Sequence, residues 1–155
     1  MNAIYMWKAL KLANKVGHVM VATASAQGTP HIASALRITA IGGGRLAVQE
    51  WFCPGTVSNL EENRKVAIVV WEASTDQGYQ LLGEVERARE TAMLNGHDVA
   101  LEKRHPVAQV QRQLVVLIHS VQSFSLAPHS DLEEWPAEGD PAAAAASSFP
   151  VRQLW

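Results

Sequence analysis

The side chains best placed for chemistry lie between Trp51 and Asn63, in the run WFCPGTVSNLEEN. A β-type segment ends in Gln49, Glu50 and Trp51, and the chain turns through Pro54 and Gly55 into a helix expected to begin near Thr56. The first backbone N–H groups of a helix have no intrahelical acceptor, and the dipole is positive at that end, so such a turn attracts an anion. Thr56 and Ser58 add hydroxyl donors, and Gly55 lets the backbone come close to a ligand. A phosphate fits there without a lysine. The competing reading is capping alone. Thr56 with Asn59, or Ser58 with Glu61 as a capping box, would satisfy the helix end; Thr56 is preferred as the cap because Pro54 and Gly55 form the entry. Cys53 precedes the helix start, where a thiol pKa falls. No histidine stands near it in a matching sequence pattern, which favours an inert thiol.

Other chemical signatures are absent. There is no GxSxG, HExxH, GxGxxG or P-loop ending in Lys-Ser or Lys-Thr. Gly42, Gly43 and Gly44 stand between two strand-like runs and read as a hairpin turn rather than a phosphate cradle. Histidines at 18, 31, 97, 105, 119 and 129 share no ligand spacing, so no metal site is expected.

The elements that must position these residues follow from pattern. Residues 4–15 suit an amphipathic helix, with Trp7, Leu10 and Ala13 or Asn14 at helical spacing and Gly17 just past its end. It is expected to pack on its own domain rather than on a membrane or a partner. Strands are expected over His18–Ser25, His31–Ile41, Arg45–Trp51, Val66–Glu72, Tyr79–Arg89 and Gln113–Leu126, and helices over Thr56–Asn63 and Thr91–Arg104. Gly83, inside the fifth run, marks a bulge or a close approach by another group. Short connections make the early strands an antiparallel meander, and closure into a small barrel would remove exposed edges. The fold class is therefore mainly β with short helices, a six-stranded antiparallel barrel.

One domain suits 155 residues, of which 48% are hydrophobic and 18% charged. The ordered domain is placed at 1–128, followed by an extended Ala/Pro-rich arm at 129–155 that either frays or docks on a partner subunit. A formal net charge of -2 gives no reason to expect nucleic acid or an anionic membrane as partner. A single cysteine, no signal-like start and no long apolar run suggest a cytoplasmic protein.

The order of the segments VMVATASAQGTPHIASALRI, GGRLAVQEW, GTVSNLEENRKVAIVVW and GYQLLGEVERA, with LVVLIHSVQSFSL after them, resembles the pyridoxamine-phosphate-oxidase-like FMN-binding split-barrel superfamily. The TxxNLEENxxVAIVV run is the most specific piece. The resemblance implies a six-stranded split barrel, a homodimer with two FMN molecules at the subunit interface, and oxidoreductase chemistry supplied by the flavin. It places Ser34, Ala35, Leu36 and Arg37 along the flavin and its phosphate, and Gln49, Glu50 and Trp51 beside the isoalloxazine ring. Thr56, Ser58 and Asn59 fall at the phosphate contacts, and Tyr79 and Gln80 face the flavin of the other subunit. Gly55 and Thr56 stand where many members carry Lys or Arg, so charge neutralisation would pass to the helix end and to Arg37 or Arg45. The run PHSDLEEWPAEGD has no counterpart of the arginine-bearing substrate segment of true pyridoxamine phosphate oxidases, so that reaction is not expected. A flavin-binding electron carrier, or a split barrel holding a deazaflavin or heme, is the alternative.

Overall fold

The structure, a computed structural model, describes residues 3–51, 53–93 and 110–128. The elements run α1 (Ala3–Val16), β1 (Val19–Ala24), β2 (Pro30–Gly42), β3 (Arg45–Trp51), α2 (Pro54–Glu62), β4 (Lys65–Glu72), β5 (Gln77–Met93) and β6 (Val110–Phe124). All neighbouring strands are antiparallel, and they close into a ring in the order β1-β2-β3-β6-β5-β4. This is the six-stranded split barrel expected from the sequence.

Strand alternation supplies the interior. Val19 and Val21 of β1, Ile38 of β2, Leu46 and Val48 of β3, Ile68 and Val70 of β4, Leu81 of β5, and Leu114 and Val116 of β6 are all buried. Consecutive strand side chains point to opposite faces, so these residues meet inside the ring. The β2–β3 hairpin turns on Gly42, Gly43 and Gly44 at φ of 87°, 59° and 73°, a left-handed path that glycine follows without a Cβ clash.

Gly83 meets both expectations placed on it. The β5–β6 register shifts between Leu82 and Gly83, and a Cβ there would collide with the Leu117 carbonyl oxygen of β6. The missing side chain is what lets β6 lie close against β5 at the bulge.

Four expectations are corrected. The helix placed over 91–104 does not begin at Thr91: β5 continues to Met93, which pairs with Val110, and Thr91 Oγ1 donates to the Gln111 carbonyl oxygen at 3.3 Å. Pairing with β6 outweighs the local pattern; residues 94–104 lie outside the described residues. Helix α2 begins at Pro54 with Cys53 as its N-cap residue and no side-chain cap bond, so Thr56 is not the cap. Proline at the first helical position presets φ and loses no bond, which starts the helix two residues early. Helix α1 buries Met6, Ala9, Leu12 and Ala13, leaving Trp7 59% exposed, so its inner face is turned from the one read in sequence. Ala9, fully buried, lets the helix lie close against β2, β4 and β5. Strands β2 and β5 also run past both expected ends, whereas β6 begins early, at Val110, and stops at Phe124, short of the expected Leu126. The arm at 129–155 lies outside the described residues.

Substituting Gly83→Ala should cost about 1–3 kcal/mol of stability, since the added methyl must push the β6 backbone away. Urea unfolding checks this; an unchanged midpoint would mean that β6 does not approach as closely as described.

Candidate functional site

The alternation of β3 divides the predicted residues between two environments. Leu46, Val48 and Glu50 point into the barrel, and Gln49 and Trp51 point out of it. On β2 the register shifts between Ala35, which pairs with Glu50, and Arg37, which pairs with Gln49. Leu36 is the extra residue of this bulge. Ala35 is buried, and both Leu36 and Arg37 face outward, an aim that regular alternation could not give to two successive residues.

A polar row therefore crosses the outer face of four neighbouring strands. Arg37 pairs in register with Gln49, Gln49 with Gln113, and Gln113 with Arg89. Arg37 Nε donates to Gln49 Oε1 at 2.8 Å, and Gln49 Nε2 donates to Gln111 Oε1 at 3.0 Å. Arg89 donates to Gln113 Oε1 at 2.7 Å from Nη2 and 3.1 Å from Nε. Arg37 hydrogen-bonds a neutral amide, so its charge is uncompensated by that contact. Arg45 differs: it holds Glu86 through two bonds of 2.7 and 2.8 Å, so its charge is spent. Trp51 and Leu36, 36% and 37% exposed, set apolar surface beside the row. An aromatic face, amide donors and acceptors and a guanidinium together suit a flat, polar-edged, anionic ligand.

Behind this face lies a buried charge pair. Glu50 and Arg112 oppose each other across β3 and β6, with Arg112 Nη1 3.3 Å from Glu50 Oε1. Glu50 is 1% exposed, and neither carboxylate oxygen accepts a hydrogen bond. Burial therefore pushes its carboxyl up to about 7 from an ordinary 4.5, with the Arg112 guanidinium pulling the other way. Glu90, opposite Arg112 on β5, is exposed; Ala35 faces Glu50 from β2. The side chain of Glu50, placed at the flavin ring by the resemblance, has no outward surface in the single chain.

Helix α2 leans on β1 and β2 and presents a mixed end. Thr56 is fully buried and its hydroxyl has no partner, so it does not reach the outer surface. Ser58 is exposed, and Asn59 Nδ2 donates to Thr23 Oγ1 at 3.0 Å, tying α2 to β1. His31, opposite Thr23 in the β1–β2 register, lies with Nε2 3.3 Å from Cys53 Sγ. Its ring fills the space a Cβ would take at Gly55, approaching within 2.8 Å. Sequence reasoning missed this pair. The two residues are 22 positions apart, and only the turn of β2 beneath α2 joins them.

The remaining predicted residues lie elsewhere. Ser34 is on the outer face of β2 opposite Met20 of β1. Tyr79 and Gln80 lie at the start of β5, opposite Ser123 and Gln122, and Gln80 Nε2 donates to Gln122 Oε1 at 3.3 Å. Tyr79 packs against the core. These two residues are not brought to the β2–β3 face within one chain. A further outer surface is apolar: Trp71 of β4, Met20 of β1, and Ile32 and Leu36 of β2 are 37%, 38%, 61% and 37% exposed. Met20 pairs with Val69 on one side and Ser34 on the other, so these residues lie on adjacent strands of one face. Among the described residues no helix is long and apolar enough to cross a membrane.

The family model for pyridoxamine 5'-phosphate oxidase matches residues 8–124. Comparison with curated proteins gives no match. Among solved structures, an FMN-binding protein from Syntrophomonas wolfei is 18% identical with a TM-score of 0.60, covering 81% of this chain and 89% of that one. A Clostridium acetobutylicum protein of the pyridoxinephosphate oxidase family is 14% identical with a TM-score of 0.58, covering 86% of this chain and 97% of that one. HupZ of Group A Streptococcus is 16% identical with a TM-score of 0.56, covering 80% of this chain and 97% of that one. At these identities the likeness is one of fold.

The buried carboxyl gives the protein a pH signature. Folded Glu50 holds its proton more tightly than the unfolded chain does, so its contribution to stability is full below pH 4.5 and is lost as pH rises through about 7. Relative to Glu50→Gln, the wild type should lose roughly 1–3 kcal/mol across that window. Denaturant midpoints at closely spaced pH values measure it. Parallel profiles for the two proteins would show that Glu50 does not titrate there.

Proposed function

Because the chain belongs to the pyridoxamine 5'-phosphate oxidase family, we propose that it is an FMN-binding flavoprotein acting as an FMN-dependent oxidoreductase in the cytoplasm, with the flavin held between two copies of the chain. The observation that carries this is the outward row on β2, β3 and β6, in which the Arg37 guanidinium, the Gln49 and Gln111 amides and the exposed Trp51 stand side by side. Arg37 supplies the positive charge that Gly55 and Thr56 lack, and so is the chain's candidate phosphate partner. Gln49 and Gln111 offer amide donors and acceptors to the polar edge of the ring, and Trp51 with Leu36 offers a flat apolar surface that sheds water when covered. The hydroxyl of Thr56 is buried and takes no part; Ser58, exposed on α2, keeps the role that the resemblance gives it.

The hydride or single-electron chemistry belongs to the bound flavin. The chain's own residues bind and orient it, and they keep water from one of its faces. The exposed apolar face of β4, β1 and β2 gives the second copy a surface to cover, and the resemblance assigns that copy's Tyr79 and Gln80 to the first copy's site. No side chain on the outer row is a general acid or nucleophile. That feature also suits a carrier that moves electrons without a substrate of its own; turnover of a reduced nicotinamide with an organic acceptor separates the two, being expected of the oxidoreductase alone.

The purified protein should be yellow or take up added FMN. Arg37→Ala should weaken FMN binding by roughly tenfold to a hundredfold, the loss of a charge-assisted hydrogen bond, whereas Arg45→Ala should leave it within about twofold. Fluorescence titration measures both. A protein that stays colourless with excess FMN, or an Arg37 variant binding as tightly as the wild type, overturns the proposal.

A further inference from the structure

Helix α1 carries three lysines, Lys8, Lys11 and Lys15, and no acidic residue. Lys8 Nζ lies 4.6 Å from the Tyr5 ring centroid and Lys11 Nζ 5.1 Å from that of Trp7. These contacts hold the ammonium groups on the helix surface without neutralising them. Lys15 pairs with Glu72 at 2.7 Å. Among the described residues, Lys8 and Lys11 meet no carboxylate. With Trp7, Glu72, Gln77 and Tyr79 these lysines line a groove of about 360 Å³ between α1 and the β4–β5 end of the barrel. Trp7, at 59% exposed, is a large aromatic surface left open to water beside them.

The chain leaves the barrel at that same end. Asp76, in the turn between β4 and β5, accepts from the backbone N–H of Leu126 at 2.7 Å and of Ala127 at 3.0 Å. Its neighbour Gln77 lines the groove. The sequence that follows, DLEEWPAEGD at 131–140, holds Asp131, Glu133, Glu134, Glu138 and Asp140, no basic residue, and Trp135 in its middle. From Pro128 to Asp131 an extended chain covers about 10 Å, and Lys8 to Lys15 span about 10 Å of helix axis. The acidic run is therefore tethered within reach of the lysine face, at a high effective concentration.

We propose that residues 131–140 dock on the exposed face of α1 in the same chain, with their carboxylates on Lys8 and Lys11 and Trp135 against Trp7. The complement is one of charge and of apolar surface together: two ammonium groups that meet no carboxylate among the described residues, and an open indole, face five carboxylates and a second indole. Docking covers the groove, occupies the basic helix face that would otherwise attract anionic partners, and fixes where the arm begins. It does not rest on the outer row on β2, β3 and β6, and it shares with the flavin reading only Tyr79, which lines the groove.

Glu-specific proteolysis of the full chain tests it, with cleavage after Glu133, Glu134 and Glu138 followed by mass spectrometry and each rate divided by that of the free peptide 129–155. The Debye length falls from about 30 Å at 0.01 M salt to about 3 Å at 1 M. Protection should be roughly tenfold at low salt and lost at 1 M. Lys8→Glu with Lys11→Glu should abolish it at low salt, and Lys65→Glu, on the rim of the barrel away from α1, should not. Far-UV circular dichroism checks that the variants fold, which exposed lysines permit. Cleavage at the peptide's rate under all conditions overturns the proposal. So does protection that grows with protein concentration, which would place the arm on a second copy, or protection that survives the double charge reversal.

Discussion

Closure of the ring is the constraint on which everything else in this molecule rests. Four of the six seams join strands consecutive in the chain; the other two, β1–β4 and β3–β6, do not, and β6 must fit between β3 and β5 at once. It does so because β5 yields: its register shifts between Leu82 and Gly83 and again between Val85 and Arg87, and Gly83 offers no side chain where the β6 backbone passes. An open sheet of these strands would leave two apolar edges for other chains to pair with. The ring removes them and converts the alternation of every strand into an inside and an outside.

That conversion makes the candidate site. Once β6 lies beside β3, Gln49 falls in line with Gln113 and Glu50 with Arg112, on opposite sides of one wall. Outside, amides and guanidinium groups form a solvated polar row with an aromatic neighbour. Inside, a carboxylate and a guanidinium share an apolar interior with no hydrogen bond to the carboxylate, an arrangement more costly than stabilising. The wall between them is a single strand thick. Any charge brought to the outer row acts on the inner pair through protein rather than through water, where screening is weak.

Helix α2 shows how far local reasoning carries. Its existence was legible from TVSNLEEN after a Pro-Gly entry, and so was the buried strand that follows it. Its chemistry was not. Thr56 looks like a donor in the sequence but is the third residue of the helix and turns to the interior, while the group at the helix entrance is His31, brought there from β2. A helix end has no fixed exposure; the sheet on which it leans decides which of its side chains reach water.

Taken alone, the sequence determined the number and order of the strands, the glycine-built hairpin at 42–44, the bulge at Gly83 and the family resemblance. These follow from short-range causes: alternation, turn chemistry and the absence of a Cβ. It also gathered Arg37, Gln49 and Trp51 into one group of candidates, and could not separate them from Glu50 and Thr56. Only the tertiary structure decided that division, along with the His31–Cys53 contact and the continuation of β5 past Thr91, because each depends on which strand lies beside which. Pairing partners are set by the free energy of closing the whole barrel, a quantity to which no window of local sequence has access.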